Sequence, residues 1–127
     1  MKLRIKGDSL RIRVTQGELQ DFATRGRVED SIRFGPSRAL AYRLTVDPEA
    51  SHLTAQFERD VIEVRVPEKA AREWSDTNLV TLEHTQSQGG VDLQIFVEKD
   101  FACLQPREGE DESDHFPHPK AGTGEAC

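Results

Sequence analysis

Cys103, His115, His118 and Cys127 carry the side chains whose chemistry is easiest to name in this chain. Thiolate and imidazole are the ligands zinc prefers, and Asp114 adds a carboxylate beside them. A structural zinc site is normally built from two close ligand pairs. Here only His115 and His118 are close, with Phe116-Pro117 between them, and both cysteines lie far from the pair. Cys103, His115, His118 and Asp114 therefore make a candidate metal set for zinc that lacks its second pair. The two cysteines are too few for a disulfide scaffold and read as free thiols of a reducing compartment.

Two further groups are chemically suggestive. The acids Glu108, Glu110, Asp111, Glu112 and Asp114 lack the alternation, central glycine and closing glutamate of a calcium loop. They suit a steering segment for a protein partner, with Phe116 and Pro117 as its anchor and Glu98, Asp100 and Phe101 at its root. The second group, Lys2, Arg4, Lys6, Arg11 and Arg13, alternates with aliphatic residues and places five positive charges on one strand face. Such a row fits an anion or nucleic acid. No aromatic residue is interleaved for base stacking and the net charge is −6, which argues against nucleic acid. The same charges can be neutralised by acids on adjoining strands, such as Glu58, Glu63 and Glu83. No serine sits in a Gly-x-Ser-x-Gly elbow and no phosphate-binding loop occurs, so the reading leans away from an enzyme.

The elements that must position these residues are legible from periodicity. Residues 2–6 and 10–14 alternate and turn at Gly7-Asp8-Ser9, a β-hairpin with Leu3, Ile5, Leu10, Ile12 and Val14 inward. Thr15 and Glu18 form a capping box, Leu19 and Phe22 fall at helical spacing, and Gly26 ends the helix. Strands over 28–34 and 39–46 follow. The order then repeats. Residues 53–66 match the first hairpin at an offset of 52, Pro67 opens a helix carrying Ala71 and Trp74, and 91–97 match 40–46 at an offset of 51. Two ββαββ halves, 1–46 and 53–98, are expected to pack about a pseudo-two-fold axis, because neither alone could bury a sufficient core. The predicted fold is α+β, a mainly antiparallel sheet or partly closed barrel with two helices.

Composition sets the outer bounds. A chain of 127 residues with 35% hydrophobic side chains suits one domain, expected over 1–104, followed by an acidic Pro/Gly-rich tail over 105–127. No run is long and apolar enough for a membrane span, and a cytoplasmic location is the default. Charge is uneven. Residues 1–43 hold ten Lys/Arg against five Asp/Glu, and residues 44–127 hold seven against eighteen.

Several motifs carry a resemblance over nearly the full length. They are Met1-Lys2-Leu3-Arg4-Ile5 with Ser9-Leu10-Arg11, then Arg33-Phe34-Gly35-Pro36, then Val97-Glu98-Lys99-Asp100-Phe101-x-Cys103-Leu104. Pro106-Arg107, Glu110-Asp111-Glu112-x-Asp114 and Phe116-Pro117-x-Pro119 continue it. With them the chain resembles an uncharacterised family of small bacterial proteins. That resemblance brings no activity, ligand or cofactor. It implies that the segment through Pro119 is a working part of the molecule. The sequence thus reads as a non-catalytic binding or regulatory module, with a protein partner and without a cofactor. A zinc-binding protein and a nucleic-acid binder are its alternatives.

Overall fold

Thr15 ends the first hairpin and starts the first helix. Its hydroxyl accepts from the Glu18 N–H at 3.4 Å, and the Glu18 carboxylate accepts from the Thr15 N–H at 2.9 Å, which completes the capping box. At the far end Gly26 takes a left-handed φ of 77° and donates to the Phe22 carbonyl, so the chain reverses directly into a strand. A computed structural model describes residues 1–101 and Phe116. The elements are β1 (Lys2–Lys6), β2 (Ser9–Val14), α1 (Gln16–Arg25), β3 (Arg27–Arg33), β4 (Ala39–Asp47), β5 (Thr54–Glu58), β6 (Val61–Pro67), α2 (Glu68–Asp76), β7 (Thr81–Gln88) and β8 (Val91–Lys99). Of the expected tail, only Phe116 is among the described residues.

The α+β class and the ββαββ order of each half are those expected. The strands form two separate four-stranded mixed sheets, ordered β1-β2-β8-β7 and β3-β4-β6-β5, and no closed barrel. Each hairpin is antiparallel, and each sheet is joined at its centre by a parallel seam, β2 with β8 and β4 with β6. Every sheet therefore takes one hairpin from each half, and neither half can complete a sheet alone.

Equivalent hydrogen bonds relate the halves. Gln94 N–H donates to the Asp8 carbonyl at 2.9 Å, and Ala41 N–H donates to the Asp60 carbonyl at 3.0 Å. Leu10 lies opposite Ile95 in one seam as Ile62 lies opposite Tyr42 in the other. The second hairpins thus correspond at 53 residues (Tyr42 with Ile95), not at the 51 expected. Val28 corresponds to Leu82, since each sits opposite the buried residue Leu44 or Val97. The cause is local. Gly26 turns α1 straight into β3, whereas residues 77–80 separate α2 from β7, and the Val80 carbonyl accepts from the Trp74 indole N–H at 2.9 Å.

The core lies between the sheets, where inward residues of β2, β4, β6 and β8 such as Ile12, Leu44, Val64 and Val97 are fully buried. Phe22 of α1 and Trp74 of α2 meet edge to face, 5.9 Å between centroids, and close one end of it. Each buries a full aromatic side chain, worth about 2–3 kcal/mol. Between the sheet edges β5 and β7 a side chain replaces the missing ladder. Gln86 Oε1 accepts from the Ala55 N–H at 2.9 Å and its Nε2 donates to the Ala55 carbonyl at 3.2 Å.

Candidate binding site at the hairpin end

The strand register sets Lys2, Arg13, Glu98 and Thr81 in one outward row of the first sheet, and Arg4, Arg11, Phe96 and Glu83 in the next. All five predicted basic residues share that face, as their alternation required. Two of them, Arg11 and Arg13, are neutralised by Glu98. Arg11 Nη1 donates to both its oxygens at 3.0 Å, Arg13 Nε donates to Oε1, and Thr81 Oγ1 donates to Oε2 at 3.3 Å. Arg11 also lies over the Phe96 ring at 4.5 Å. The expected acids do not take this role: Glu58 and Glu63 belong to the other sheet, and Phe96 separates Glu83 from Arg11 in their row. Among the described residues, Arg4 and Lys6 form no ion pair.

Burial of Glu98 opposes its ionisation, but the hydrogen bonds and charges of Arg11 and Arg13 outweigh it and hold the carboxyl below the ordinary carboxylate range. The other sheet repeats the arrangement with the charges redistributed. Glu63, equivalent to Arg11, accepts from Arg65 Nε at 2.9 Å and Thr45 Oγ1 at 3.1 Å, with Arg43 Nε 3.3 Å away. Its carboxyl is lowered too, burial again being overcome by the Arg65 and Thr45 hydrogen bonds and the arginine charges. Outward polar clusters at equivalent seams fasten the parallel strands together.

The root of the predicted docking segment is buried. Glu98, Lys99 and Asp100 are all buried. Lys99 Nζ donates to the Thr77 carbonyl at 2.8 Å, and burial pushes this amine below its ordinary range. Asp100 pairs with Lys2 Nζ at 3.2 Å and accepts the Phe116 N–H on its carbonyl at 2.8 Å. Phe116 bridges to Phe101 in parallel sense, stacks edge to face on it at 5.6 Å and packs against the core. Cys103, Asp114, His115, Pro117 and His118 lie outside the described residues. Among the described residues no group of three His, Cys, Asp or Glu is placed to hold a metal, and no helix is long and apolar enough to cross a membrane.

A different surface emerges at the end away from the helices. Both seams are parallel and all four connections within the hairpins are short, so the four turns share one end of the molecule. Ile5, Ile32, Phe34, Phe57 and Val91, the exposed large hydrophobic residues, all lie there, from 48% exposed at Ile32 to 70% at Phe34. Their exposure has a simple origin. Ile5, Ile32, Phe57 and Val91 occupy the inward phase of their strands, and no helix covers this end as Phe22 and Trp74 cover the other. Between the sheets the uncovered inner faces form an apolar groove of about 340 Å³. Ile5 and Phe57, Leu10 and Ile62, and Leu40 and Leu93 line it as topologically equivalent pairs, so both halves contribute to it alike.

Sequence periodicity assigned most of these residues to the core. The available signal was that inward positions continue to within one residue of each turn, while the described residues form only two helices to cover the sheets.

Residues 1–120 match the family model described as a family of unknown function (DUF7009). The match covers nearly the whole chain, and the chain belongs to that family. No curated protein and no solved structure matches it.

Proposed function

We propose that this DUF7009 protein is a non-catalytic binding module that recognises an apolar protein surface at its hairpin end. One observation carries the reading: every exposed large hydrophobic residue among those described lies at one of the four turns, and two of them, Ile5 and Phe57, line an open apolar groove there. Scattered apolar residues are ordinary on a surface, whereas a contiguous patch of them marks an interaction site. The groove lining offers aliphatic and aromatic carbon and few polar groups, which suits shape-matched apolar contact better than a reaction. The same reading takes the two halves as a tandem duplication. The matching seam hydrogen bonds and strand registers support this, and it leaves a single shared groove on the axis between the halves.

The test uses an apolar fluorescent dye, anilinonaphthalene sulfonate, with the folded full-length protein kept dilute. Dye fluorescence is expected to rise with the wild-type chain and to fall severalfold for Phe57→Ser, with circular dichroism and melting temperature unchanged. Equal dye binding by the two proteins sinks the reading.

A further inference from the structure

We infer that the occupant of the hairpin end is a second copy of this chain, docked turn to turn in a two-fold dimer. The inference rests on the reading of this end as a binding surface and names its partner. Two features of the end point to self-association.

The first is charge. Taking each hairpin turn with two strand residues on either side gives segments 5–10, 32–40, 57–62 and 87–92. Together they carry four Lys/Arg and four Asp/Glu, so they are neutral in a chain whose net charge is −6. All five exposed large hydrophobic residues fall within these same segments. The entire excess of negative charge lies elsewhere. Two copies that meet by this end therefore bring no net charge together. A surface with both signs in equal number around an apolar centre can satisfy itself by rotation, as a two-fold contact requires.

The second is symmetry. The groove lining consists of equivalent pairs about the pseudo-two-fold axis, including Ile5 with Phe57 and Leu40 with Leu93. When two such ends meet about a two-fold axis crossing the pseudo-axis, each apolar position of one copy faces an apolar position of the other. An asymmetric partner uses half of that pairing. A second copy uses all of it.

Sedimentation velocity of the full-length protein over a concentration series tests this, beside the same measurement on Phe57→Glu and on Arg33→Glu. The wild-type chain should move from monomer to dimer with rising concentration. Phe57→Glu, which places a carboxylate in the apolar centre, should weaken the dimer by roughly a hundredfold. Arg33→Glu unbalances the rim and should weaken it less, with recovery in added salt. Phe57 and Arg33 are both exposed, so both variants should keep the wild-type melting temperature of the monomer. A wild-type chain that stays monomeric while the dye binds and Phe57→Ser abolishes that binding overturns the dimer and leaves the binding surface standing. A dimer that Phe57→Glu does not weaken overturns it as well, by placing the contact on another face. Loss of the dye result overturns the underlying reading first.

Discussion

Glu98 shows how a residue suited to function can be absorbed by structure. It stands at a strand exit beside two arginines, and an exposed carboxylate there would serve a partner or a proton transfer. Buried among Arg11, Arg13 and Thr81, it instead closes the seam between strands more than eighty residues apart. Glu98→Gln should cost about 1–2 kcal/mol at neutral pH, the arginines being partly exposed and keeping some hydration when the carboxylate is lost. The pH dependence follows from the lowered carboxyl. Its contribution is complete above the ordinary carboxylate range and disappears as pH falls through the lower value held in the folded protein. Denaturant unfolding along a pH series should show wild type and Glu98→Gln converging in acid; a constant gap down to the lowest pH contradicts the assignment. The basic row was legible in the sequence because alternation alone sets which side chains share a face. Its counter-charge was not, because cross-strand partners depend on a register between distant segments that no local pattern encodes.

Elements here are specified locally and joined non-locally. The capping box at Thr15, the glycine reversal at Gly26 and the strand alternation were readable because each arises within a few residues of chain. The offset of the second hairpin differs by two residues from the one periodicity suggests, for a definite reason. A period of two is unchanged by a slip of two, so the same inward set fits both offsets and only the seam hydrogen bonds separate them. The edge contact of β5 with β7 gives an element-scale test. Gln86 supplies both hydrogen bonds to Ala55, so Gln86→Ala leaves a half-buried N–H and C=O without their partner. A loss of about 1–2 kcal/mol is expected, read by urea denaturation. Unchanged stability would mean that the two edges hold together without it.

At the scale of the whole molecule, the segment after β8 returns to the domain through Phe116. Its backbone bonds to Asp100, and its ring meets Phe101 and lies 5.4 Å from Lys99 Nζ. A chain truncated at Leu104 should therefore melt several degrees lower than the full-length protein, and Phe116→Ala should reproduce much of that loss. Identical melting curves for all three would show that Phe116 adds nothing to the domain. By itself the sequence determined the α+β class, the two similar halves, the caps of the first helix and which residues of most strands point inward. These depend on backbone geometry and side-chain periodicity over short spans. Only the tertiary structure decided that the inner faces outrun their cover. Both helices pack at one end and all four turns at the other, so inward-phase residues such as Ile5 and Phe57 are left in the open rather than in the core. Burial belongs to the packing of whole sheets, and a pattern that says which way a side chain points does not say what it will meet there.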